Sequence, residues 1–237
     1  MADAAGLTCT AATTPEPHLN RSIRPTKGTP TVDIVQLDRA AVLESVRVVR
    51  SAGPGDWDRP SPCSGWTLRR LVEHMRAQHL GFAAAARGQG AGAAVWRTRS
   101  YADNPAARYG EAADVVLDAF AEPDVLERRF ALPEIDAAAT FAASTAIGFH
   151  FIDYVVHSWD AAAALGLRTV FPADVVEAAL PIALRVPGGE ARVRPGAAFR
   201  PALPAGGAVA GSGSADAFRL VLSALGRSPD WSPPHGG

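Results

Sequence analysis

The chain has 237 residues, of which 48% are hydrophobic and 20% charged, and its formal net charge is −1. The near-zero, well-mixed charge argues against a nucleic-acid binder and against a polybasic membrane arm, because no basic excess is present to meet phosphates or anionic lipids. We find no apolar run of about 18 residues that would span a bilayer, and no secretory signal. Two cysteines, Cys9 and Cys63, are too few for a disulfide framework. We therefore expect a soluble, reduced, cytoplasmic protein.

The first predicted elements follow a leader segment. Residues 1–31 are rich in Pro and Thr and poor in large apolar side chains, so we expect a disordered leader. Apolar residues then recur at three- and four-residue spacing from Asp33, a suitable N-cap, to the Gly/Pro turn at 53–55, which predicts the first helix. Thr67 is the predicted N-cap of a second helix that runs to about Arg87.

Two more helices are predicted before the C-terminal part. One covers roughly 106–120, and the other runs from about 135 to 165 and is closed by Gly166. This last helix is apolar nearly all round, as helices inside a core are. Four such helices predict an all-α, up-down four-helix bundle over 32–170. Residues 171–237 should form short helices, at about 173–184 and 215–225, and a Gly/Pro-rich segment packed on the bundle.

Polar residues interrupt the apolar fourth helix. His150, Asp153 and His157 lie at i, i+3 and i+7 and therefore share one stripe. Asp153 and His157 can point into the same space, and pairs at this spacing build metal sites in helical bundles. The second helix supplies His74 among apolar neighbours. If His74 faces the stripe, two nitrogens and one oxygen with an open position suit a catalytic divalent metal, zinc first of all.

These residues also have simpler interpretations. A histidine in a helix is more often a satisfied core or surface residue than a metal ligand, and an Asp four residues before a His can be only an orienting hydrogen-bond partner. We interpret His79 as a half-exposed residue near the mouth of the site. Cys63 could be a reactive thiol, but a loop cysteine with no nearby basic partner is more often inert. His18 and His235 lie in ends that we expect to be disordered.

Three ordered motifs resemble one protein family. The run at 60–74, PSPCSGWTLRRLVEH, is similar to the P-(S/T)-P-C-x-G-W segment of the DinB-like superfamily. Within it, the similarity is to the mycothiol-dependent maleylpyruvate isomerase N-terminal-domain branch. Residues 155–160, VVHSWD, resemble the (V/L)-x-H-x-W-D box of that branch, and 225–231, LGRSPDW, resembles the ending of its small actinobacterial members.

The resemblance implies a four-helix bundle that holds a divalent metal, zinc or else nickel, with these ligands: His74, Asp153 and His157. Two departures from the pattern of the branch are visible. Asp153 stands where the branch usually has the longer Glu, and Arg70 stands where an acidic residue is common. We expect His150 to supplement or replace Asp153 and assign it as the candidate catalytic residue. The 187–213 stretch lacks the strands of the isomerase's second domain, so maleylpyruvate is not the expected substrate.

The resemblance also implies thiol chemistry, since members with known activity are isomerases or S-transferases that use mycothiol or a related thiol. An open metal position would take the sulfur and lower its pKa, so that a thiolate attacks an electrophilic carbon. We expect this reaction on a small electrophilic metabolite, in a monomer or homodimer. Asp160 would orient a ligating imidazole. The sugar and carboxylate groups of the thiol would be bound by Arg69, Arg70 and Arg76.

Two other interpretations stay open at this point. The bundle could be free of metal and bind a hydrophobic metabolite, as a sequestering protein or a biosynthetic cyclase. In that case His150, Asp153 and His157 would act as hydrogen-bonding groups or as acid and base. The bundle could also be a dimerising one whose polar stripe is only a buried network.

Overall fold

The computed structural model describes residues 33–63, 65–100, 103–193, 198–204 and 213–233. The predicted leader at 1–31 lies outside the described residues, as do Cys9, His18 and His235. Within those ranges the chain forms six α-helices and one two-stranded antiparallel hairpin. None of the helices in the described part combines the length and the apolar character that a membrane span requires.

The first two helices begin where their capping residues predict. Helix α1 (Ile34–Arg50) follows Asp33, whose side chain accepts a hydrogen bond from the backbone N–H of Val35 at 3.0 Å. Helix α2 (Leu68–Ala86) follows Thr67, whose hydroxyl accepts from the N–H of Arg70 at 3.3 Å. These bonds satisfy N–H groups that have no partner in the first turn of a helix. Both predicted N-caps are confirmed.

The third helix was predicted well, whereas the start of the fourth was predicted wrongly. Helix α3 covers Pro105–Phe120, and α4 covers only Ala143–Leu165, ending at Gly166 with a φ of 70°. The preceding residues form a hairpin of β1 (Arg129–Ala131) and β2 (Thr140–Ala142), in which Phe130 pairs with Phe141. Phe130 is fully buried. This segment therefore forms a hairpin and not a longer helix, and Phe130 packs into the core beside Phe120.

The helices of the bundle run up, down, down and up. Both α1 and α2 lie beside α3 and beside α4. This confirms the all-α four-helix bundle and refines its directions, because the connection from α2 to α3 returns along the bundle so that these two helices are parallel. The relative directions follow from the order of contacting residues along each helix. These contacts are Asp38–His150 and Glu44–Val170 for α1 and α4, Met75–Tyr154 and His79–His150 for α2 and α4, and His79–Tyr109 and Arg87–Glu122 for α2 and α3.

The C-terminal part adds two helices. Helix α5 (Ala173–Arg185) packs against α1 and α4, and α6 (Ser214–Ala224) packs against α5. A short 3-10 turn at Gly189–Arg192 lies between them. Buried side chains of α5 and α6, such as Val175 and Val221, belong to the same apolar cluster as those of α1 and α4. This packing brings the segment after α6 back to the bundle.

Candidate metal centre

The structure brings together the three residues that the sequence analysis selects as metal ligands. Ligand atoms of His74, Asp153 and His157 lie within 4.8 Å of one another. Nε2 of His157 lies 3.3 Å from Oδ1 of Asp153, and the rings of His74 and His157 meet edge to face with centroids 5.6 Å apart. Because α2 and α4 run antiparallel, the first turns of α2 face the last turns of α4. The side chain of Asp153 is 17% exposed and that of His157 only 4%, and His74 is half-buried, so solvent reaches the cluster past Asp153 and His74.

The surroundings of the two histidines of the cluster shift their pKa values in opposite directions. Burial lowers the pKa of His74 to about 4, and the positive charge of His157 acts in the same direction. Burial also disfavours the charged form of His157, but the carboxylates of Asp153 and Asp160 outweigh it and raise the pKa of His157 well above its ordinary value. Neutral His74 has a lone pair to offer, and Nε2 of His157 faces a carboxylate. Two imidazole nitrogens and one carboxylate oxygen form a donor set that fits zinc.

The second ring nitrogen of His157 is tied to Asp160. Nδ1 of His157 donates to Oδ2 of Asp160 at 2.9 Å. Although burial favours the neutral acid, the Arg227 guanidinium and His157 hold the pKa of Asp160 below its usual range. An ionised Asp160 accepts only, so Nδ1 carries the proton and Nε2 is the nitrogen that faces the cluster. The predicted hydrogen bond between Asp160 and a site imidazole is confirmed.

Sequence reasoning missed two neighbours of this pair, Cys63 and Arg227. Sγ of Cys63 lies 3.1 Å from Oδ2 of Asp160 and 3.9 Å from Nδ1 of His157. Nη2 of Arg227 lies 3.3 Å from the same sulfur. The expectation that Cys63 has no basic partner was therefore wrong, because Arg227 comes from a part of the chain that is remote in sequence. The only sequence signal was that both residues lie in family-like motifs.

A tight turn before α2 presents Cys63 and Trp66 to the site. The backbone N–H of Trp66 donates to the carbonyl of Cys63 at 2.9 Å, and Gly65 has a φ of 79°, in the left-handed region that favours glycine. The N–H of Ser61 donates to the carbonyl of Trp66 at 3.0 Å, which closes the turn. The indole of Trp66 then packs against the ring of His74 with centroids 5.1 Å apart. Trp66 thus forms one wall of the cluster.

His150 does not join the metal cluster, contrary to our expectation. Its side chain is fully buried, and Nδ1 lies 2.6 Å from Oδ1 of Asp38 on α1. Nε2 of His150 lies 3.2 Å from Nδ1 of His79, whose Nε2 lies 3.2 Å from the hydroxyl of Tyr109. Tyr109 in turn contacts Oγ of Ser45 at 2.5 Å. The i, i+3 spacing aims His150 inward towards α1 and α2, so it serves a core network and is not placed to meet a substrate.

His79 belongs to this network, so the prediction of a half-exposed residue was wrong. The side chain is fully buried and stacks on Tyr154, with ring centroids 4.1 Å apart. Burial lowers the pKa of His79 well below its ordinary value, and the charge of His150 adds to the effect. His79 lies more than one turn after His74, which places it deeper between the helices and away from the open end.

The three arginines that we assigned to the thiol lie along α2 with different exposure. Arg70 is exposed and its guanidinium lies over the indole of Trp66, 5.1 Å from the ring centroid. Arg69 lies over Trp57 at 5.9 Å, and Arg76 is half-buried. Arg70 thus contacts Trp66, the indole that forms one wall of the metal cluster.

Comparison with known proteins identifies the family to which this chain is related. The sequence model of the mycothiol maleylpyruvate isomerase N-terminal domain family matches residues 39–162 of this chain. The chain belongs to this family. The matched segment contains all three residues of the cluster and Asp160, whereas Arg227 lies beyond it. The side chain that contacts Cys63 and Asp160 is thus supplied from outside the segment that defines the mycothiol maleylpyruvate isomerase N-terminal domain.

Similar proteins include two uncharacterised proteins of Mycobacterium tuberculosis, one from strain CDC 1551 / Oshkosh and one from strain ATCC 25618 / H37Rv. Each is 30% identical to this chain over 137 residues, which are 55% of this chain and 63% of the relative. The chain therefore spans less than two thirds of the length of these relatives. A crystal structure of the mycothiol-dependent maleylpyruvate isomerase superposes on this chain with a TM-score of 0.48 and 14% sequence identity. The superposition covers 64% of this chain and 68% of the isomerase chain.

Proposed function

We propose that this protein is a metal-dependent enzyme that uses a low-molecular-weight thiol of the mycothiol type, as an S-transferase or isomerase, on a small electrophilic metabolite. The observation that carries the proposal is the convergence of His74, Asp153 and His157, from two antiparallel helices, within 4.8 Å of one another. Membership of the mycothiol maleylpyruvate isomerase N-terminal domain family supports the thiol and the isomerase type of reaction.

The chain's own residues would prepare the site. His157 hydrogen-bonds to Asp160 through its Nδ1–H, and a metal would displace the proton from Nε2 and bind there, while His74 is neutral near pH 7 because its pKa lies at about 4. Asp153 adds one negative charge beside the two imidazoles. Held by these three groups, a divalent cation, zinc before nickel, would supply a Lewis-acidic position that lowers the pKa of a bound thiol.

The open side of the cluster offers a place for the thiol's polar groups. Trp66 covers His74 on one side, and the exposed guanidinium of Arg70 lies on the face of that indole. A carboxylate on the thiol would pair with Arg70, and its sugar would lie along Trp66. Arg69 and Arg76, on the same helix, would contact more distant parts of a large thiol. Arg70 is therefore the first of the three to test.

The test of the proposal is metal content. Protein purified without a His tag should contain stoichiometric zinc or nickel by plasma emission spectrometry, and His74→Ala and His157→Ala should abolish it while helicity by circular dichroism is kept. Asp118→Asn, an exposed change on α3, is the matched control and should keep the metal. Folded wild-type protein that binds no divalent metal, even when metal is added, would overturn the proposal in favour of a metal-free metabolite-binding bundle.

The chemistry is tested separately with mycothiol and a generic electrophile. Metal-loaded wild-type protein should accelerate formation of the thioether or the isomerised product, and His157→Ala should not. Absence of any acceleration by loaded protein, over a panel of electrophiles and thiols, would leave a metal-binding bundle without thiol-transfer activity and would contradict the enzymatic half of the proposal.

A further inference from the structure

The structure contains a second group of metal-ligating side chains that shares one residue with the first. Among the described residues, Cys63, His157 and Asp160 also place ligand atoms within 4.8 Å of one another. The two groups use opposite edges of the same ring, since Nε2 of His157 faces Asp153 and Nδ1 faces Asp160. Thiolate, imidazole and carboxylate together are a zinc-binding donor set, and a softer one than the first group. On ligand chemistry alone, the second group should compete for the metal.

Arg227 fills the place that a cation would take in the second group. Its Nε donates to Oδ1 of Asp160 at 3.1 Å, its Nη2 donates to Oδ2 of Asp160 at 3.0 Å, and Nη2 also lies 3.3 Å from Sγ of Cys63. Nη1 donates to the carbonyl of Leu225 at 3.2 Å. Arg227 and Asp160 are both buried, with 4% and 0% exposure. The guanidinium is therefore a fixed part of the core and not a mobile surface charge.

The backbone after α6 is built to aim this side chain. The N–H of Arg227 donates to the carbonyl of Leu222 at 2.8 Å, which caps the helix end, and Gly226 has a φ of 74°. A Cβ on residue 226 would lie 2.6 Å from the carbonyl oxygen of Arg200. Glycine is thus required at 226 both for its backbone angle and for the close approach of a neighbouring loop. Arg227 follows directly and enters the core from this turn.

Charge counting shows what Arg227 does to the second group. With Cys63 as a thiol, the negative charge of Asp160 and the positive charge of Arg227 cancel. A divalent cation next to the buried guanidinium would leave net positive charge in the core even after the Cys63 thiol had lost its proton, which is costly in a region that water does not reach. Without Arg227, the charges of two divalent cations are balanced by four negative groups, namely the Asp153 and Asp160 carboxylates, the Cys63 thiolate and the His157 imidazolate that bridges the cations.

We propose that Arg227 is a specificity-determining residue that closes the Cys63–His157–Asp160 group to divalent metals, so that a metal binds His157 only through Nε2. Replacing Arg227 with a neutral residue opens a second site, in which the metal bonds to Sγ of Cys63 and Nδ1 of His157 while the thiol proton and the Nδ1 proton pass to solvent, so that the His157 ring bridges the two metals as an imidazolate. The part that concerns Nε2 rests on the metal site proposed above, whereas the part that concerns Cys63 does not.

Cobalt titration tests this proposal, since Co²⁺ bound to a thiolate shows a near-ultraviolet charge-transfer absorption that nitrogen and oxygen ligands do not give. Wild-type protein should bind one equivalent without that absorption, and Cys63→Ser should leave the spectrum unchanged. Arg227→Met should bind a second equivalent and gain the absorption. The double variant Arg227→Met/Cys63→Ser should lose both. Arg227→Lys keeps the charge and should behave as the wild type.

Two results would overturn the inference. One is a thiolate absorption in the wild-type protein that Cys63→Ser removes, which would show that Arg227 does not close the group. The other is an Arg227→Met variant, folded by circular dichroism, that gains no second equivalent and no absorption. The comparison of the wild type with Cys63→Ser tests the inference even if Arg227→Met does not fold. Combining Arg227→Met with His74→Ala separates the two proposals, because the thiolate absorption should persist when the first site is lost.

Discussion

Nδ1 of His157 lies 2.9 Å from Oδ2 of Asp160, a residue one helical turn further along α4. This bond holds a proton on Nδ1, so Nε2 is the nitrogen that a metal would bind. Since Asp160 also accepts from Cys63 and Arg227, its carboxylate is held on both oxygens and cannot rotate away without leaving buried donors unpaired. The orientation of one metal ligand therefore depends on residues from a loop before α2 and from the chain after α6.

Asp160→Asn tests this dependence. The amide presents a donor as well as an acceptor, so it no longer fixes the proton on Nδ1 of His157, and it leaves the Arg227 charge without its partner. We expect metal affinity to fall by about 10- to 100-fold, the usual effect of losing a hydrogen-bond partner of a ligating histidine. Isothermal titration with zinc measures it. Asp118→Asn, exposed on α3, should bind as the wild type, and an unchanged affinity in Asp160→Asn would refute the orienting role.

Asp153 is the ligand position where this chain has the shorter carboxylate. Its Oδ1 lies 3.3 Å from Nε2 of His157, so a carboxylate is within reach of the ring despite the shorter side chain. We expect Asp153→Glu to retain stoichiometric metal, since glutamate keeps the negative charge. We expect Asp153→Asn to lower the metal affinity at least about tenfold, since asparagine removes that charge. The two variants are each other's control in the same titration. Equal affinities for both would show that the carboxylate is not a ligand.

Arg70 is the exposed arginine beside the cluster, and its removal should affect thiol binding more than turnover. In Arg70→Ala we expect KM for the thiol to rise by up to about fivefold, as suits an exposed ion pair, with kcat nearly unchanged. Steady-state kinetics with varied thiol measure both constants. Arg39→Ala, an exposed arginine on α1, should leave both constants unchanged. A fall in kcat alone would contradict a role in binding.

The buried pair of Asp38 and His150 should behave as a structural unit. Asp38→Leu and His150→Leu each leave one partner buried without its counterpart, and we expect each to lower the free energy of unfolding by about 3–5 kcal/mol. The double variant should cost clearly less than the sum of the two. Urea denaturation of the metal-free protein measures all three.

Metal content separates this role from a catalytic one. Because His150 and Asp38 lie outside the His74–Asp153–His157 cluster, folded His150→Leu should still bind one equivalent of metal. Loss of metal or of turnover in a folded His150→Leu protein of wild-type stability would restore His150 to the site. Wild-type stability of His150→Leu would also contradict the destabilisation expected of a core network.

The sequence was sufficient for most of the helices and for the choice of His74, Asp153 and His157 as residues that converge, for identifiable physical reasons. Asp33 and Thr67 are N-caps followed by apolar periodicity, so two helix starts could be located to the residue. The helices α2 and α4 are mostly apolar, yet they carry the polar residues His74, Asp153 and His157. Buried polar groups need partners, so few other residues could be expected to face them.

Other features depend on the order in which the helices pack, which spacing alone does not reveal. His150 lies at a helical spacing from Asp153 that suggested a shared face, yet its ring points to Asp38 on α1. Arg227 lies in a short motif after α6, and its contact with Cys63 spans most of the chain. Contacts of this kind arise from tertiary packing of remote segments, so helical periodicity and residue spacing do not predict them.

The stability of the metal-free protein should fall as the pH falls below about 6.5, the ordinary pKa of histidine. His79 has a pKa lowered well below that value by burial and by His150, so between the two values the unfolded chain binds a proton that the folded protein does not. The free energy of unfolding therefore rises with pH across this window, by up to about 1.4 kcal/mol per pH unit for one group. The other groups that face His79 are the hydroxyls of Tyr109 and Tyr154, whose pKa values are raised by burial, so both stay neutral.

His79→Gln keeps one donor and one acceptor but cannot titrate, and it isolates this effect. His74, whose pKa is also lowered, titrates in both proteins and cancels in the difference. Urea unfolding at pH 5 and pH 7 should show a smaller loss of stability on acidification in the variant than in the wild type, whatever their absolute stabilities. Equal losses in the two proteins would mean that His79 accepts a proton in the fold as readily as in the unfolded chain. Burial and the charge of His150 would then not keep His79 neutral.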